Sequence, residues 1–135
     1  MKPNDYLKLI SDGKNLTQDE AEELADMLLD KSIDEAIASA ILVSLKMKGE
    51  TAEEIVGFVK SLRKHAIGID YRNAVDIVGT GGDGLNTINV STISSILISN
   101  NYKVAKHGNR AASSLSGSAD FLETIGYNIN VDVNK

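Results

Sequence analysis

Three S/T-x-x-E strings, Thr17/Glu20, Ser32/Glu35 and Thr51/Glu54, each stand before a run of apolar residues at helical spacing. In such a box the hydroxyl and the carboxylate satisfy backbone N–H groups that a helix start leaves unpaired, so each string predicts where a helix begins. Ala21, Leu24, Ala25 and Leu28 then follow the i, i+3, i+4, i+7 pattern, and Ile55, Phe58, Val59, Leu62 and Ala66 continue it further on. Both read as one-faced helices. Residues 36–45 are apolar nearly all round, which marks a central and most buried helix, with Gly49 closing it. A short helix over 6–11, ending near Gly13, completes a four-helix array, so residues 1–68 read as a helical domain suited to packing or dimerisation.

Beyond that point the chemistry of the chain changes. Residues 1–72 hold 24 of the 33 charged residues, whereas 73–135 hold 7 of the 11 glycines. The helical period stops, so 69–73 reads as a linker or hinge. A β-type run at 74–78 is followed by a glycine-rich loop (79–87), an apolar helix (90–99) and a second strand (102–105). A polar loop (107–117), a helix (118–125) ending at Gly126 and a third strand (127–131) complete the pattern. Alternation of this kind signals a parallel sheet with crossover helices. The expected fold class is therefore α/β, a helical domain followed by the start of a parallel-sheet domain over 74–135. Three strands bury too little to stand as a finished sheet, so the 135 residues are expected to be the front of a longer, truncated protein.

Composition removes several function classes. A net charge of −5 argues against a general nucleic-acid or anionic-membrane surface, so any polyanion site must be local. With no cysteine there is no disulfide, thiolate metal site or Cys nucleophile. The N-terminus lacks an apolar signal region and no run approaches the ~20 apolar residues of a membrane span, which points to the cytosol.

The loop Gly79-Thr80-Gly81-Gly82-Asp83-Gly84 formally satisfies G-x-G-x-x-G after a strand. A dinucleotide fold, however, needs an acidic residue about 20 positions on, where this chain has Lys106-His107. No G-K-[ST] follows, so a Walker A loop fails too. What remains is a backbone that can wrap phosphate oxygens with successive N–H groups. A carboxylate at Asp83 would repel a bare diphosphate, so a Mg²⁺-complexed diphosphate is the implied ligand. Thr87, Asn89, Ser91 and Thr92 gather at the next helix start, where amides and dipole favour an anion, although Asn89 alone equally suits a plain N-cap. Lys106, His107, Asn109 and Arg110 follow the second strand and should emerge at the same sheet end as the glycine loop. The hydroxyls of 113–118 lead to another helix start, a second anion seat. His107 could serve as a general base, a substrate contact or a structural residue, and its sequence setting ranks none of these first.

The strings Asp76-Ile77-Val78-Gly79-Thr80-Gly81-Gly82-Asp83, Asn89-Val90-Ser91-Thr92 and Lys106-His107-Gly108-Asn109-Arg110 closely resemble those of the anthranilate phosphoribosyltransferases of tryptophan synthesis. The resemblance covers essentially the whole chain. It implies that Gly79, Gly82, Asp83, Thr87, Asn89, Val90, Ser91 and Thr92 bind phosphoribosyl diphosphate. Lys106, His107, Gly108, Asn109, Arg110, Ala111, Ala112, Ser113, Ser114 and Ser118 would complete that pocket. Gly79 and Asn109 would contact anthranilate, Ser91 would touch Mg²⁺, and Lys106 and Asn109 would position the transition state. The implied reaction is attack of the anthranilate amine on ribose C1 with Mg²⁺-diphosphate leaving, which calls for positioning and charge stabilisation more than for a protein nucleophile. The family pairs a small helical domain with a larger α/β domain of the nucleoside-phosphorylase type, forms homodimers through the helical part and binds substrates at the hinge. Its members are much longer than this chain, and their later part supplies an Asp-Glu pair for Mg²⁺ and an Arg for the anthranilate carboxylate. Two other readings remain: a pyrimidine-nucleoside phosphorylase, and a noncatalytic dimerising fragment with an incomplete phosphate site.

Overall fold

The computed structural model of the chain describes residues 1–68, 72–79, 88–111 and 116–130. The chain divides into two compact units, Met1–Gly68 and Ile69–Lys135. Part of the expected linker, 69–71, lies outside the described residues.

The first unit is built from α1 (Pro3–Ser11), α2 (Gln18–Leu29), α3 (Glu35–Lys48) and α4 (Ala52–His65), with α1 packed on α3 and α2 on α4. Two of the three expected capping boxes form. Thr17 Oγ1 accepts the Glu20 N–H while Glu20 returns to the Thr17 N–H at 2.9 Å, and Thr51 and Glu54 repeat the arrangement. The third does not. Ser32 donates to Met27 O at 3.0 Å, and Asp34, two residues on, caps α3 by accepting the Ala36 N–H at 3.0 Å. Asp34, immediately before the first helical residue, satisfies an orphan amide of the first turn directly, so the helix starts two residues later than the serine box predicts. Gly13, Gly49 and Gly126 close their helices at positive φ, the conformation that favours glycine at a helix end.

The core consists of Tyr6, Ile10, Leu16, Ala21, Leu24, Ile33, Ile41 and Leu45, so each of the first three helices contributes its expected apolar face. Two expectations fail here. α3 is not the most buried helix, because only Ile41 and Leu45 are buried while Leu42, Val43 and Met47 are exposed. α4 buries Glu54, Gly57 and Ser61, and its apolar stripe Ile55, Val59 and Leu62 faces outward. The reason is close packing. A Cβ at Gly57 would collide with Gln18 O, Ala21 Cβ and Glu22 N of α2, so the missing side chain lets the two backbones approach.

Ion pairs and hydrogen bonds fix the same faces. Ser61 donates to Asp26 Oδ1 at 2.6 Å and Lys64 Nζ lies 2.8 Å from Asp26 Oδ2, tying α4 to α2. These bonds, Lys64 first, hold the Asp26 carboxyl below its usual range. Tyr6 donates to Glu23 at 2.5 Å, and burial together with that carboxylate pushes the phenol pKa upward.

The described residues of the second unit hold α5 (Val90–Ile98), α6 (Ser118–Thr124) and one parallel β-bridge, Val75 with Val104. Val75 N–H donates to Lys103 O at 2.8 Å and Ala105 N–H to Val75 O at 3.0 Å. Of the strands expected at 74–78 and 102–105, this single bridge is what forms. The strand expected at 127–131 is absent from 127–130, and residue 131 lies outside the described residues. Parallel pairing needs neighbouring strands to extend it, and a two-strand contact alone is marginal.

Candidate functional site

The parallel bridge sets the segments around Val75 and Val104 side by side, and the residues that follow them are the ones the sequence singles out for chemistry. Lys106 reaches back across that alignment: its Nζ lies 3.4 Å from Ile77 O and 2.9 Å from His107 O. The lysine is thus beside the end of the run that leads into Gly79, as expected from strand polarity. Its partners are neutral carbonyls, which leave its positive charge without a counter-charge at these contacts. Gly79 has open space where a Cβ would stand. Gly82, Asp83 and Thr87, expected in the same loop, lie outside the described residues, as do Ala112, Ser113 and Ser114.

At the start of α5 the backbone turns tightly. Asn89 has φ −70° and ψ 64°, and Val90 N–H donates to Ile88 O at 2.7 Å, an inverse γ-turn. Asn89 stands in the N-cap position but its side chain does not cap the helix; its Nδ2 donates to Gly117 O at 3.3 Å. The plain N-cap alternative therefore fails, and the asparagine links α5 to the residue before α6. Ser91 is half-buried. Thr92 is fully buried, and its Oγ1 has no hydrogen-bond partner among the described residues. An orphaned buried hydroxyl costs about 1–3 kcal/mol, so its retention points to a partner supplied from elsewhere.

The segment after Lys106 is laced to α6. Asn109 N–H donates to Ser118 Oγ at 3.1 Å, and Ala119 N–H donates to Asn109 O at 3.1 Å. Gly108 and Gly117 have no room for a Cβ: the first would strike Ser118 Oγ, the second the backbone of 109–111. Asp120 Oδ2 accepts N–H groups from both Ala111 and Gly117 at 2.8 Å. These two bonds, Ala111 first, hold its carboxyl below the usual range. The Gly117 amide that leads into α6 is therefore taken by this chain's own carboxylate, while most of the hydroxyl segment expected as a second anion seat, 112–115, lies outside the described residues. Arg110 pairs with Glu123 in a fork, NH1 to Oε2 at 2.7 Å and NH2 to Oε1 at 2.8 Å.

Asp120 and Glu123 escaped the sequence reading. Their signal was present: these are the two acidic residues of the expected helix 118–125, and Asp120 stands three residues after Gly117, the spacing of a carboxylate that returns to a helix's first amides. Among the described residues no group of three His, Cys, Asp or Glu side chains is placed to hold a metal ion. No helix among them is long and apolar enough to cross a membrane.

The structure thus pairs a helical unit with a unit that holds a parallel β-bridge, Gly79 just beyond the first bridged segment and Lys106 beside it. The chain belongs to the glycosyl transferase family: the model of its helical bundle domain matches residues 4–66 and that of its a/b domain residues 71–135. Among relatives, it is 57% identical over 135 residues to an anthranilate phosphoribosyltransferase of Metallosphaera sedula, covering 100% of this chain and 39% of that protein. It is 55% identical over 131 residues to the corresponding enzyme of Saccharolobus solfataricus, covering 97% of this chain and 38% of the relative. The crystal structure of anthranilate phosphoribosyltransferase from Thermus thermophilus superposes with a TM-score of 0.79 at 37% identity, over 93% of this chain and 39% of that one. The chain thus matches the N-terminal part of these proteins and spans about two fifths of their length.

Proposed function

We propose that this chain is the N-terminal part of a cytosolic enzyme that transfers the phosphoribosyl group of phosphoribosyl diphosphate to the amine of anthranilate. The observation that carries the reading is Lys106, set by the Val75–Val104 bridge beside the segment that enters Gly79, with carbonyls as its partners. Its ammonium is available for a phosphate oxygen. The similarity to anthranilate phosphoribosyltransferases supplies the substrates.

In the reaction the amine nitrogen bonds to ribose C1, the C1–oxygen bond to diphosphate breaks and the amine gives up a proton. Lys106 would stabilise charge on the phosphates, while Gly79 and Asn109 border the space for the acceptor. Ser91 and Thr92, at the start of α5, would offer hydroxyls to ligand oxygens, and the orphaned Thr92 Oγ1 supports that role. Mg²⁺ would arrive on the diphosphate and neutralise the leaving group, with the Ser91 hydroxyl as a contact, since no carboxylate or imidazole cluster among the described residues is placed to hold the ion by itself. The isolated parallel bridge, the one found among the described residues, and the exposed Ile93, Ile96 and Leu97 of α5 support reading the second unit as the start of a larger α/β domain that covers this helix.

The helical unit would pair with a second copy. Leu42, Leu45, Ile55, Phe58 and Val59, with the carboxylates Glu50 and Glu54, line an open groove of about 260 Å³, and Leu62 and Met47 are further exposed apolar residues of α4 and α3. An exposed apolar patch of this kind supports that pairing.

Calorimetric titration of the whole natural protein with phosphoribosyl diphosphate, with and without Mg²⁺, tests the activity reading. Binding that Lys106→Ala weakens roughly tenfold or more is expected, the loss of one charge-assisted contact. Unchanged affinity in that variant would remove Lys106 from the site and the reading with it.

A further inference from the structure

Two cations occupy the segment after the second strand, and their surroundings differ. Lys106 touches carbonyl oxygens, Ile77 O and His107 O. Arg110 touches carboxylates: the fork to Glu123 at 2.7 and 2.8 Å, and NH1 to Asp120 Oδ1 at 3.4 Å. One positive charge against two negative ones leaves that cluster net negative. A phosphate approaching the guanidinium would have to displace Glu123 and would meet Asp120 as well.

Asp120 has a second attachment. Its other oxygen holds the N–H groups of Ala111, the residue after Arg110, and of Gly117. Asn109, the residue before Arg110, is bonded to Ser118 and Ala119. The backbone on both sides of Arg110 is therefore pinned to α6, and the side chain is pinned to the same helix one turn further on. Bidentate Arg–carboxylate geometry fixes orientation as well as distance, which suits a strut.

We infer that Arg110, Glu123 and Asp120 form a clamp that fixes the 107–111 segment on α6. In it Arg110 is a positioning residue acting through Glu123, and Lys106 alone supplies the segment's charge to the phosphates. This rests on the proposed phosphoribosyl diphosphate site and assigns the division of labour within it.

A charge swap separates a strut from a ligand. In the whole natural protein, affinity for phosphoribosyl diphosphate with Mg²⁺ is measured for the unaltered chain and for Arg110→Glu, Glu123→Arg, the double swap Arg110→Glu/Glu123→Arg, and the isosteric Glu123→Gln. Thermal melts of the same samples report folding. A strut predicts that each single change, Glu123→Gln included, weakens binding by roughly tenfold, the size of one charge-assisted pair. It also predicts that the double swap recovers most of that loss. A double swap that folds yet binds as poorly as Arg110→Glu would make Arg110 a direct phosphate ligand and overturn the clamp. Tighter or unchanged binding in Glu123→Gln, which keeps the side chain's shape, overturns it as well. Failure of the unaltered protein to bind sinks the site itself, a result distinct from either.

Discussion

Four donors converge on the buried carboxylate of Glu54: the N–H of Leu16 at 2.8 Å, the N–H of Thr51 at 2.8 Å, Thr51 Oγ1 at 3.1 Å and Lys48 Nζ at 2.8 Å. Burial works to raise its pKa, but the hydrogen bonds outweigh it and hold the carboxyl below its ordinary value. A group with a depressed folded-state pKa stabilises the fold above its unfolded-state pKa, and that contribution disappears as pH falls through the folded value. The helical unit is thus expected to weaken progressively below about pH 4.3, where an unperturbed glutamate titrates. Glu54→Gln should flatten that limb in urea titrations run at successive acid pH values; an unchanged limb would assign acid sensitivity to other groups. At neutral pH, Glu54→Ala strands the buried Lys48 ammonium and should lower stability by about 3–5 kcal/mol. A loss of only ~0.5 kcal/mol, the scale of an exposed pair, would show that water reaches it in solution. The Thr51–Glu54 box was readable from a spacing of three. The bond to Leu16, 38 residues away, was not, because no local pattern encodes which distant amide a carboxylate meets.

Among the elements, α4 separates what periodicity can and cannot tell. Its stripe correctly marks a helix, yet only Phe58 of it packs against the core, while Ile55, Val59 and Leu62 are exposed and Glu54, Gly57 and Ser61 are the buried residues. Gly57 decides the face that packs on α2. Gly57→Ala gains about 1 kcal/mol of helix propensity, yet it places a methyl group against backbone atoms of Gln18 and Glu22 that cannot rotate away. Overpacking of this kind costs about 1–3 kcal/mol, so a lower melting temperature is expected, and an unchanged or higher one would mean that α2 and α4 sit farther apart. The clue was available as small residues at 57 and 61 on one side of the helix, but an apolar stripe next to it is the stronger hydrophobic signal. α3 fails for a related reason: a helix apolar all round can be central or can face a partner, and the sequence is the same in both cases. The pairing with a second copy proposed above would resolve the ambiguity. Leu42→Glu or Ile55→Lys should shift the whole natural protein toward monomer in sedimentation velocity while leaving the core residues Ile41 and Leu45 untouched. An unaltered sedimentation coefficient in both variants would remove this groove as the interface.

At the scale of the molecule, burial is unevenly divided. The hydrophobic cluster among the described residues lies entirely within the first unit, whereas the described residues buried in α5 are Thr92 and Ser95. Amide exchange of the 135-residue chain should follow this division, slowest in α2 and α4 and faster in α5 and α6, because protection tracks buried apolar contact. Comparable protection in both units would contradict it. The sequence by itself determined the helices, most of their caps and closing glycines, the change of structure near residue 68 and the polarity that brings Lys106 beside the run into Gly79. Each of these depends on residues close in the chain, or on the fixed direction of parallel strands. Tertiary structure alone decided that α4 packs through Gly57, that Glu54 holds Leu16, and that Arg110 is committed to α6. Those are contacts between distant segments, set by which surfaces approach closely enough for atoms to touch, and spacing along the chain carries no record of that distance.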